Sequence, residues 1–274
     1  MTEQPSRLRA GDIAVVIPAL NEALRIREVV EGALAHCPRV IVVDDGSDDD
    51  TSGLIADLPV TTLRHAERMG KGASLRDGFA EALRQGAKAV VTMDGDGQHS
   101  AADIPRMIDS ANRHPDCVIV AARLRKRGCQ PWYRRLGNDF GDWGISWACG
   151  FRMVDSQSGQ RLYPAAACAM DDVPGEGFVF EAQMLISSAR QLGLGVVALP
   201  VDTRYADAEH SFRKSHFRLW HDLRLITSHV VLQVMRYGNV IGEYRRTRKT
   251  RPVIDDPTGE FSGDRAQRQP THTG

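Results

Sequence analysis

The sequence predicts an α/β protein in which a mostly parallel β-sheet is flanked by helices, with a helical extension at the C-terminal end. Three observations lead to this prediction. Short runs of valine and isoleucine alternate with longer helical patterns through the first half of the chain, which is typical of a parallel sheet covered on both faces. After Arg123 this rhythm gives way to aromatic and helical segments. Hydrophobic residues form 42% of the 274 residues, enough for a sizeable core.

The elements of the first half follow in a regular order. Five predicted strands are rich in valine and isoleucine and bounded by Pro, Asp or Gly, at residues 13–17, 40–43, 60–63, 89–93 and 117–121. Four predicted helices lie between them, at residues 22–36, 51–57, 71–85 and 103–113. Because ligands of such sheets bind beyond the carboxyl ends of the strands, the loops that leave the strands there are candidate site segments.

The second half is predicted to be mainly helical. Residues 131–151 carry three of the four tryptophans and form a helical, partly apolar segment. Two more helices are predicted at 176–192 and 212–235, around a short strand at 196–201. The tail from Pro252 is rich in Gly, Pro, Thr, Asp and Gln, and this composition predicts disorder.

Composition narrows the classes of function. The 35 basic residues balance the 35 acidic ones, so the zero formal charge gives no electrostatic argument for a nucleic-acid partner. The five cysteines are far apart and form no CxxC pair, so neither a zinc site nor a disulfide framework is predicted. The sequence has no signal-peptide pattern and no apolar run of about 18 residues. We therefore expect a cytoplasmic protein that could still rest on the inner face of a membrane.

An acidic run follows the second predicted strand. Residues 44–50 contain five carboxylates, which repel one another unless a cation, base donors or open solvent surrounds them. One interpretation is a ligand-binding loop, and Gly46 favours it because glycine lets the backbone approach a ligand closely. The other is an acidic, solvated helix cap, since Ser47 and Asp48 are good N-cap residues. We expect Asp45 to be solvated and to contribute little to folding.

A pair of carboxylates follows the fourth predicted strand. Asp94 and Asp96 lie on one side of an extended chain, and Gly95 and Gly97 open the backbone around them. This arrangement suits Mg²⁺ or Mn²⁺, which takes one or two protein carboxylates and completes its shell with phosphate oxygens and water. Gln98 could supply a further ligand.

These loops together resemble a known family. The segments IPALNE (17–22), VDDGSDDDT (43–51), GKG (70–72) and MDGDGQH (93–99) are similar to the ordered motifs of family 2 glycosyltransferases. Among these enzymes, the dolichol-phosphate or polyprenol-phosphate mannosyltransferase-like branch is the most similar. The resemblance continues through DSQSGQRLY (155–163) and FE (180–181), where Gln160 stands at a position that is usually aromatic in the family.

The resemblance implies a GT-A fold and a division of the chain. The transferase domain would span residues 1–235, with a donor half at about 11–125 and an acceptor half at about 126–235. Residues 236–274 would form a basic segment followed by the tail.

The resemblance also implies a function. It predicts an inverting glycosyltransferase that moves a sugar from a nucleoside-diphosphate sugar, a GDP- or UDP-sugar, to a polyprenyl phosphate or another lipid with Mg²⁺ or Mn²⁺. The residues assigned to the nucleotide sugar are Pro18, Asn21, Glu22, Asp45, Ser47, Lys71, Asp94 and Arg123. The implied metal ligands are Asp94, Asp96 and Gln98.

Asp96 and Glu181 are the predicted catalytic residues. Glu181 lies where an inverting transferase could hold a general base. A phosphate acceptor is already ionised and needs no base, and Glu181 would then orient the sugar or an arginine. The alternative to both roles is that Glu181 is an exposed carboxylate on a helix. Arg161 and Arg204 are candidate acceptor or phosphate contacts, because a guanidinium group can bind phosphate through two hydrogen bonds. Ordinary surface arginines are the alternative for both.

The C-terminal part predicts contact with an anionic membrane surface. The helix at 212–235 carries an apolar stripe that includes Trp220, interspersed with basic residues, and residues 245–251 add five more basic side chains. A basic amphipathic helix can lie in a membrane interface. A helix packed on its own core is the alternative interpretation of the stripe.

Other functions remain open or are excluded. A nucleotidyltransferase needs a glycine-rich loop with Arg and Lys after the first strand to hold a triphosphate, and residues 18–22 are not such a loop. A non-catalytic nucleotide-sugar-binding protein and a transferase with a soluble acceptor remain alternatives.

Overall fold

The computed structural model describes residues 7–124, 132–171, 173–175, 177–202, 228, 230–236, 240–257 and 259. Of residues 132–138, 177 and 178, the backbone alone is described. Arg204, Trp220 and most of the helix predicted at 212–235 lie outside the described residues. No helix in the described part of the chain combines the length and the apolar character that crossing a bilayer requires.

Eight strands in the described part of the chain form one sheet. In chain order they are β1 (Ile13–Ala19), β2 (Arg39–Asp44), β3 (Thr61–Arg64), β4 (Ala89–Thr92), β5 (Cys117–Ala122), β6 (Arg161–Pro164), β7 (Gly195–Pro200) and β8 (Val253–Ile254). Their order across the sheet is β3-β2-β1-β4-β6-β5-β7-β8. Neighbours run parallel, except that β6 runs antiparallel to β4 and β5.

Helices cover both faces of the sheet. They are α1 (Ile26–Leu34), α2 (Lys71–Arg84), α3 (Ile104–Arg113), α4 (Trp132–Cys149), α5 (Ala165–Cys168), α6 (Gly177–Gln191) and α7 (Val240–Lys249), and residues 230–236 are helical as well. Successive side chains of β1 enter different cores, as the alternation of a strand requires. Val16 is buried in one core with Phe79 of α2, and Val15 is buried in the other with Val30 of α1.

The predicted α/β architecture is confirmed. The six predicted strands occur within two residues of their expected bounds. The sequence does not predict β6, whose four residues include an arginine and a proline, or β8. The disorder expected from Pro252 onward is wrong for β8, because Val253 pairs in register with Val197 and Asp255 N donates to Ala198 O at 2.9 Å.

Two predicted helices are shorter than expected. The segment predicted to be helical from residue 22 forms a loop and a turn before α1, and Asn21 just ahead of it has a left-handed φ of 57°. The helix predicted at 51–57 is reduced to a three-residue 3₁₀ turn, Gly53–Ile55. Here the hydroxyls of Thr51 and Ser52 donate to Asp49 and Asp44, and such local bonds compete with a regular helix.

Residues 240–257 pack on the sheet and its helices. Trp147 Nε1 on α4 donates to Val240 O at 3.1 Å, and Arg190 on α6 pairs with Glu243 on α7 at 2.9 Å. Helix α7 is therefore in direct contact with α4 and α6.

Candidate active site

The loops that leave β1 and β2 are tied together at the carboxyl end of the sheet. Asn21 N donates to Ser47 Oγ at 2.8 Å, and Asn21 Oδ1 accepts from Asp48 N at 2.8 Å. Glu22 N donates to Thr51 Oγ1 at 2.9 Å. Three of the residues assigned to the nucleotide sugar thus lie in these two linked loops: Asn21 and Glu22 after β1, and Ser47 after β2.

Asp45 has a structural task that the sequence does not predict. Its side chain is 5% exposed, and its carboxylate accepts from Met69 N at 2.7 Å, Gly70 N at 2.8 Å and His65 Nδ1 at 2.8 Å. The expectation that Asp45 is solvated is therefore wrong, and its contacts predict a contribution to folding. Asp45 holds the loop between β3 and α2 against the end of β2.

His65, which the sequence does not predict for the site, connects Asp45 to α2. Its Nε2 lies 2.9 Å from Asp77 Oδ2, so the ring bridges two carboxylates. Burial of the ring would lower its pKa, but the hydrogen bonds to Asp45 and Asp77 outweigh burial, and the pKa of His65 is raised. A histidine directly after a strand that ends at the same edge as Asp45 is the signal that could have indicated this contact.

Gly46 serves the same loop. Its φ is 73°, and a Cβ at this position would lie 2.8 Å from the carbonyl carbon of Glu67. Gly46 thus allows the backbone of residues 67–68 to pack closely against it, where the sequence suggested the close approach of a ligand.

Lys71, Asp94 and Glu181 form an ion cluster at the same edge of the sheet. Lys71 Nζ, at the start of α2, lies 2.7 Å from Asp94 Oδ1 after β4 and 3.1 Å from Glu181 on α6. Burial favours the neutral forms, but the opposite charges outweigh it: the pKa of Lys71 is raised and that of Asp94 is lowered. Three residues from separate parts of the sequence, each predicted for the site, therefore meet here. Glu181 is 8% exposed, which excludes the exposed helix carboxylate.

Gly159 makes room for this cluster. A Cβ at residue 159 would lie 2.3 Å from Asp94 Oδ2, so a larger residue would displace that carboxylate. Gly159 belongs to the motif at 155–163, but the sequence alone does not predict that it packs against the Asp94 carboxylate.

Asp96 lies beside the cluster in the same loop. Gln98 N donates to Asp96 Oδ1 at 3.0 Å. Burial, together with the nearby charge of Asp94, raises the pKa of Asp96. Gly95 faces Glu22, since a Cβ on Gly95 would lie 3.4 Å from Glu22 Cγ. The Asp-Gly-Asp loop therefore adjoins the loop after β1.

The carboxylates of this loop fit a hard divalent cation. Asp94 and Asp96 supply oxygen ligands from one loop, and burial of Asp96, followed by the nearby charge of Asp94, raises the pKa of Asp96. Within the described residues, no group of three or more His, Cys, Asp or Glu residues could by itself enclose a metal ion. Mg²⁺ commonly uses one or two protein carboxylates and takes its other ligands from phosphate and water.

Arg123 lies just after β5, and His99 lies in the loop after β4. The guanidinium group of Arg123 binds Asp155 through two hydrogen bonds, Nε–Oδ2 at 2.9 Å and Nη2–Oδ1 at 2.6 Å. Asp155, whose role the sequence does not predict, therefore holds this arginine in place. Burial lowers the pKa of His99 to about 4, so the imidazole is neutral at physiological pH.

Arg161 does not fit the expected phosphate contact. Its side chain is buried and donates to the carbonyl oxygens of Ser158, Ser156 and Glu181 and to the Tyr163 hydroxyl, at 2.7–2.9 Å. The guanidinium group thus fastens β6 to α6. Arg204, the other candidate, lies outside the described residues.

A family model decides the class of the protein. The model described as "Glycosyl transferase family 2" matches residues 14–170, which is more than half of the chain and includes the loops after β1, β2 and β4. The chain belongs to glycosyltransferase family 2. The Asp-Gly-Asp loop and the Lys71–Asp94–Glu181 cluster are therefore the candidate active site of a family 2 glycosyltransferase.

Curated relatives point to one branch of this family. A polyprenol monophosphomannose synthase from Mycolicibacterium smegmatis is 28% identical over 214 residues, covering 73% of this chain and 80% of that protein. A UDP-N-acetylglucosamine–dolichyl-phosphate N-acetylglucosaminyltransferase from Methanococcus voltae is 27% identical over 223 residues, covering 71% of this chain and 86% of that protein. These relatives confirm the resemblance to the prenyl-phosphate branch of family 2 glycosyltransferases.

Solved structures share the fold. Glucosyl-3-phosphoglycerate synthase from Mycobacterium tuberculosis, crystallised with Mn²⁺, UDP and glucosyl-3-phosphoglycerate, superposes with a TM-score of 0.59 at 19% identity. The match covers 82% of this chain and 78% of that chain. The fold of this family 2 glycosyltransferase is GT-A, as predicted.

Proposed function

We propose that this glycosyltransferase moves a sugar from a nucleoside-diphosphate sugar, a GDP- or UDP-sugar, to a polyprenyl phosphate, with inversion at the anomeric carbon and with Mg²⁺ or Mn²⁺. The observation that carries the proposal is the Lys71–Asp94–Glu181 cluster beside Asp96 at the carboxyl ends of the strands. The named activities of the relatives support the acceptor class.

The donor diphosphate is proposed to bind over the Asp-Gly-Asp loop. Asp94 and Asp96 would hold the divalent ion, with Gln98 as a further ligand. When bound, such an ion stabilises the negative charge that develops on the leaving diphosphate. Lys71 keeps a positive charge at the same place, because its raised pKa leaves the ammonium group protonated. Arg123, held by Asp155, is the second cation proposed to face the diphosphate.

The nucleoside is proposed to bind against the interlocked loops after β1 and β2. Pro18, Asn21, Glu22 and Ser47 are the residues proposed to contact it, and the bonds from Asn21 to Ser47 and from Glu22 to Thr51 hold the two loops together. Asp45 contributes indirectly, because its carboxylate fixes the loop that leads to Lys71.

Glu181 is proposed to orient the reacting groups through Lys71. A phosphate acceptor is ionised at neutral pH and attacks without a general base, so the role left for Glu181 is to place the Lys71 ammonium group between itself and Asp94. With a hydroxyl acceptor, the same carboxylate would serve as the base. The location that fits a lipid acceptor is the inner face of the cytoplasmic membrane, with the protein bound peripherally.

A donor and acceptor panel tests the proposal. Purified protein with Mn²⁺ is incubated with GDP- and UDP-hexoses, with and without polyprenyl phosphate in detergent micelles. Nucleoside diphosphate release and the lipid product are measured, and the anomer is determined by NMR. We expect release that depends on the lipid phosphate and a product of inverted configuration. Donor binding without turnover would indicate a non-catalytic binding protein, and turnover with soluble acceptors alone would indicate a different substrate class.

A further inference from the structure

Aromatic side chains form a continuous row between α4 and α7. The ring centroids of Phe140 and Trp143 lie 5.7 Å apart, those of Trp143 and Trp147 lie 5.2 Å apart, and Tyr244 of α7 lies 6.3 Å from Trp143 and 5.6 Å from Trp147. The inner end of the row is held, because Trp147 Nε1 donates to Val240 O. The row is therefore a fixed feature of the packing of α7 on α4.

The outer part of this row faces solvent. Phe140 is 43% exposed and Trp143 is 45% exposed, and Ile241 of α7 is 63% exposed. Large aromatic and aliphatic side chains with this exposure leave an apolar surface without a protein partner in the described structure, and surfaces of this kind commonly mark interaction sites.

Basic side chains follow Ile241 and Tyr244 along α7. Arg245, Arg246, Arg248 and Lys249 of α7 and Arg251 after it are exposed. Glu243 is the acidic residue of this helix, and it pairs with Arg190 of α6 at 2.9 Å and with Arg246 at 3.7 Å. The Arg248 guanidinium group stacks over Tyr244 at 5.8 Å, which joins the charged and aromatic parts of the surface. Exposed aromatic and aliphatic groups next to an excess of basic side chains complement an anionic phospholipid interface.

We propose that the α4–α7 surface, formed by Phe140, Trp143, Ile241, Tyr244 and the basic residues of 245–251, docks this protein on an anionic phospholipid bilayer. The inference rests on the proposed function, because it names the membrane from which a polyprenyl phosphate would reach the active site. Trp143 and the basic side chains are the docking groups. The helix expected to dock through Trp220 is not required.

Helix α4 also connects this surface to the active site. Asp142, next to Trp143 in the chain, accepts from Asp155 N at 2.9 Å and from Ser156 N at 2.7 Å. Asp155 in turn binds Arg123. A bilayer on the α4–α7 surface would therefore lie against the helix that supports the Arg123 side of the donor site.

Vesicle binding of the full chain tests the inference. We expect co-sedimentation with phosphatidylglycerol vesicles but not with phosphatidylcholine vesicles, and release as salt rises, since exposed charges are screened over about 8 Å at physiological ionic strength. The double variant Arg245→Gln/Lys249→Gln should weaken binding at least about tenfold. The matched control Arg7→Gln/Arg84→Gln removes two exposed charges outside the surface and should bind like the unchanged protein.

Quenching by brominated lipids tests the aromatic part. Trp143→Phe should lose most of the tryptophan quenching seen on phosphatidylglycerol vesicles, and Trp220→Phe should retain it. Equal binding by both double variants, quenching that persists in Trp143→Phe, or a dimer that needs Trp143 would overturn the inference. Transfer to a short, water-soluble polyprenyl phosphate by a protein that ignores vesicles would leave the proposed function standing and remove the docking surface alone.

Discussion

At the scale of the residue, the loop that enters α2 depends on the carboxylate of Asp45, to which Met69 N and Gly70 N donate. The same loop places Lys71 between Asp94 and Glu181. The buried carboxylate of Asp45 therefore determines where the Lys71 ammonium group lies in the site.

Asp45→Ala is expected to destabilise the protein. The change leaves two backbone amides without their acceptor, at a cost of about 1–3 kcal/mol in the free energy of unfolding. Urea unfolding measures this loss. Asp48→Ala is the matched control, since Asp48 belongs to the same acidic run but its side chain is exposed. Equal stabilities of the two variants would show that Asp45 does not hold the loop.

His65 should make stability depend on pH. Its pKa in the folded protein is raised above the ordinary value near 6.5, because its bonds to Asp45 and Asp77 outweigh burial. The folded state therefore binds the proton more tightly than the unfolded state. The resulting stabilisation is complete below about pH 6.5 and is lost as pH rises through the folded pKa. Unfolding free energies between about pH 5.5 and 8.5 should fall for the unchanged protein relative to His65→Gln; parallel curves would contradict the assignment.

At the scale of the element, β8 completes the sheet from the C-terminal side. It pairs with β7, and Asp255 just after it binds the exposed guanidinium group of Arg113 on α3 at 2.6 Å. Helix α7 is fastened by Glu243 and by the aromatic row. A deletion from Tyr244 onward would therefore remove packed structure. Its effect on membrane binding could not be separated from its effect on the stability of the domain.

Two truncations test the contribution of β8. A chain that ends at Thr250 lacks the strand and Asp255, whereas a chain that ends at Pro257 keeps both. The shorter chain should melt several degrees lower, since about 1 kcal/mol corresponds to about 2–4 °C in a domain of this size. The longer one should melt like the full chain. Identical melting temperatures would show that β8 adds nothing to the stability of the sheet.

At the scale of the whole molecule, the sequence predicts the parts of the fold that depend on the composition of a single short segment. The strands rich in valine and isoleucine stand out, and so do the loops with Asp94 and Asp96. β6 does not, because Arg161 and Tyr163 give no apolar run and the strand exists only through pairing with β4 and β5. The buried role of Arg161 is likewise invisible, because its four acceptors come together only when β6 and α6 pack.

The Asp-Gly-Asp loop is the centre of the proposed mechanism, and Asp96 is its most direct probe. The measurement is the rate of sugar transfer to polyprenyl phosphate for the unchanged protein, for Asp96→Ala and for the control Asp109→Ala, an exposed carboxylate on α3. Each is assayed with EDTA and after Mn²⁺ is restored, and thermal melts verify folding. We expect EDTA to abolish transfer, Mn²⁺ to restore it, and Asp96→Ala to lose at least about 100-fold, the scale for removing a main electrostatic stabiliser. Full transfer by Asp96→Ala in the presence of EDTA would contradict the account.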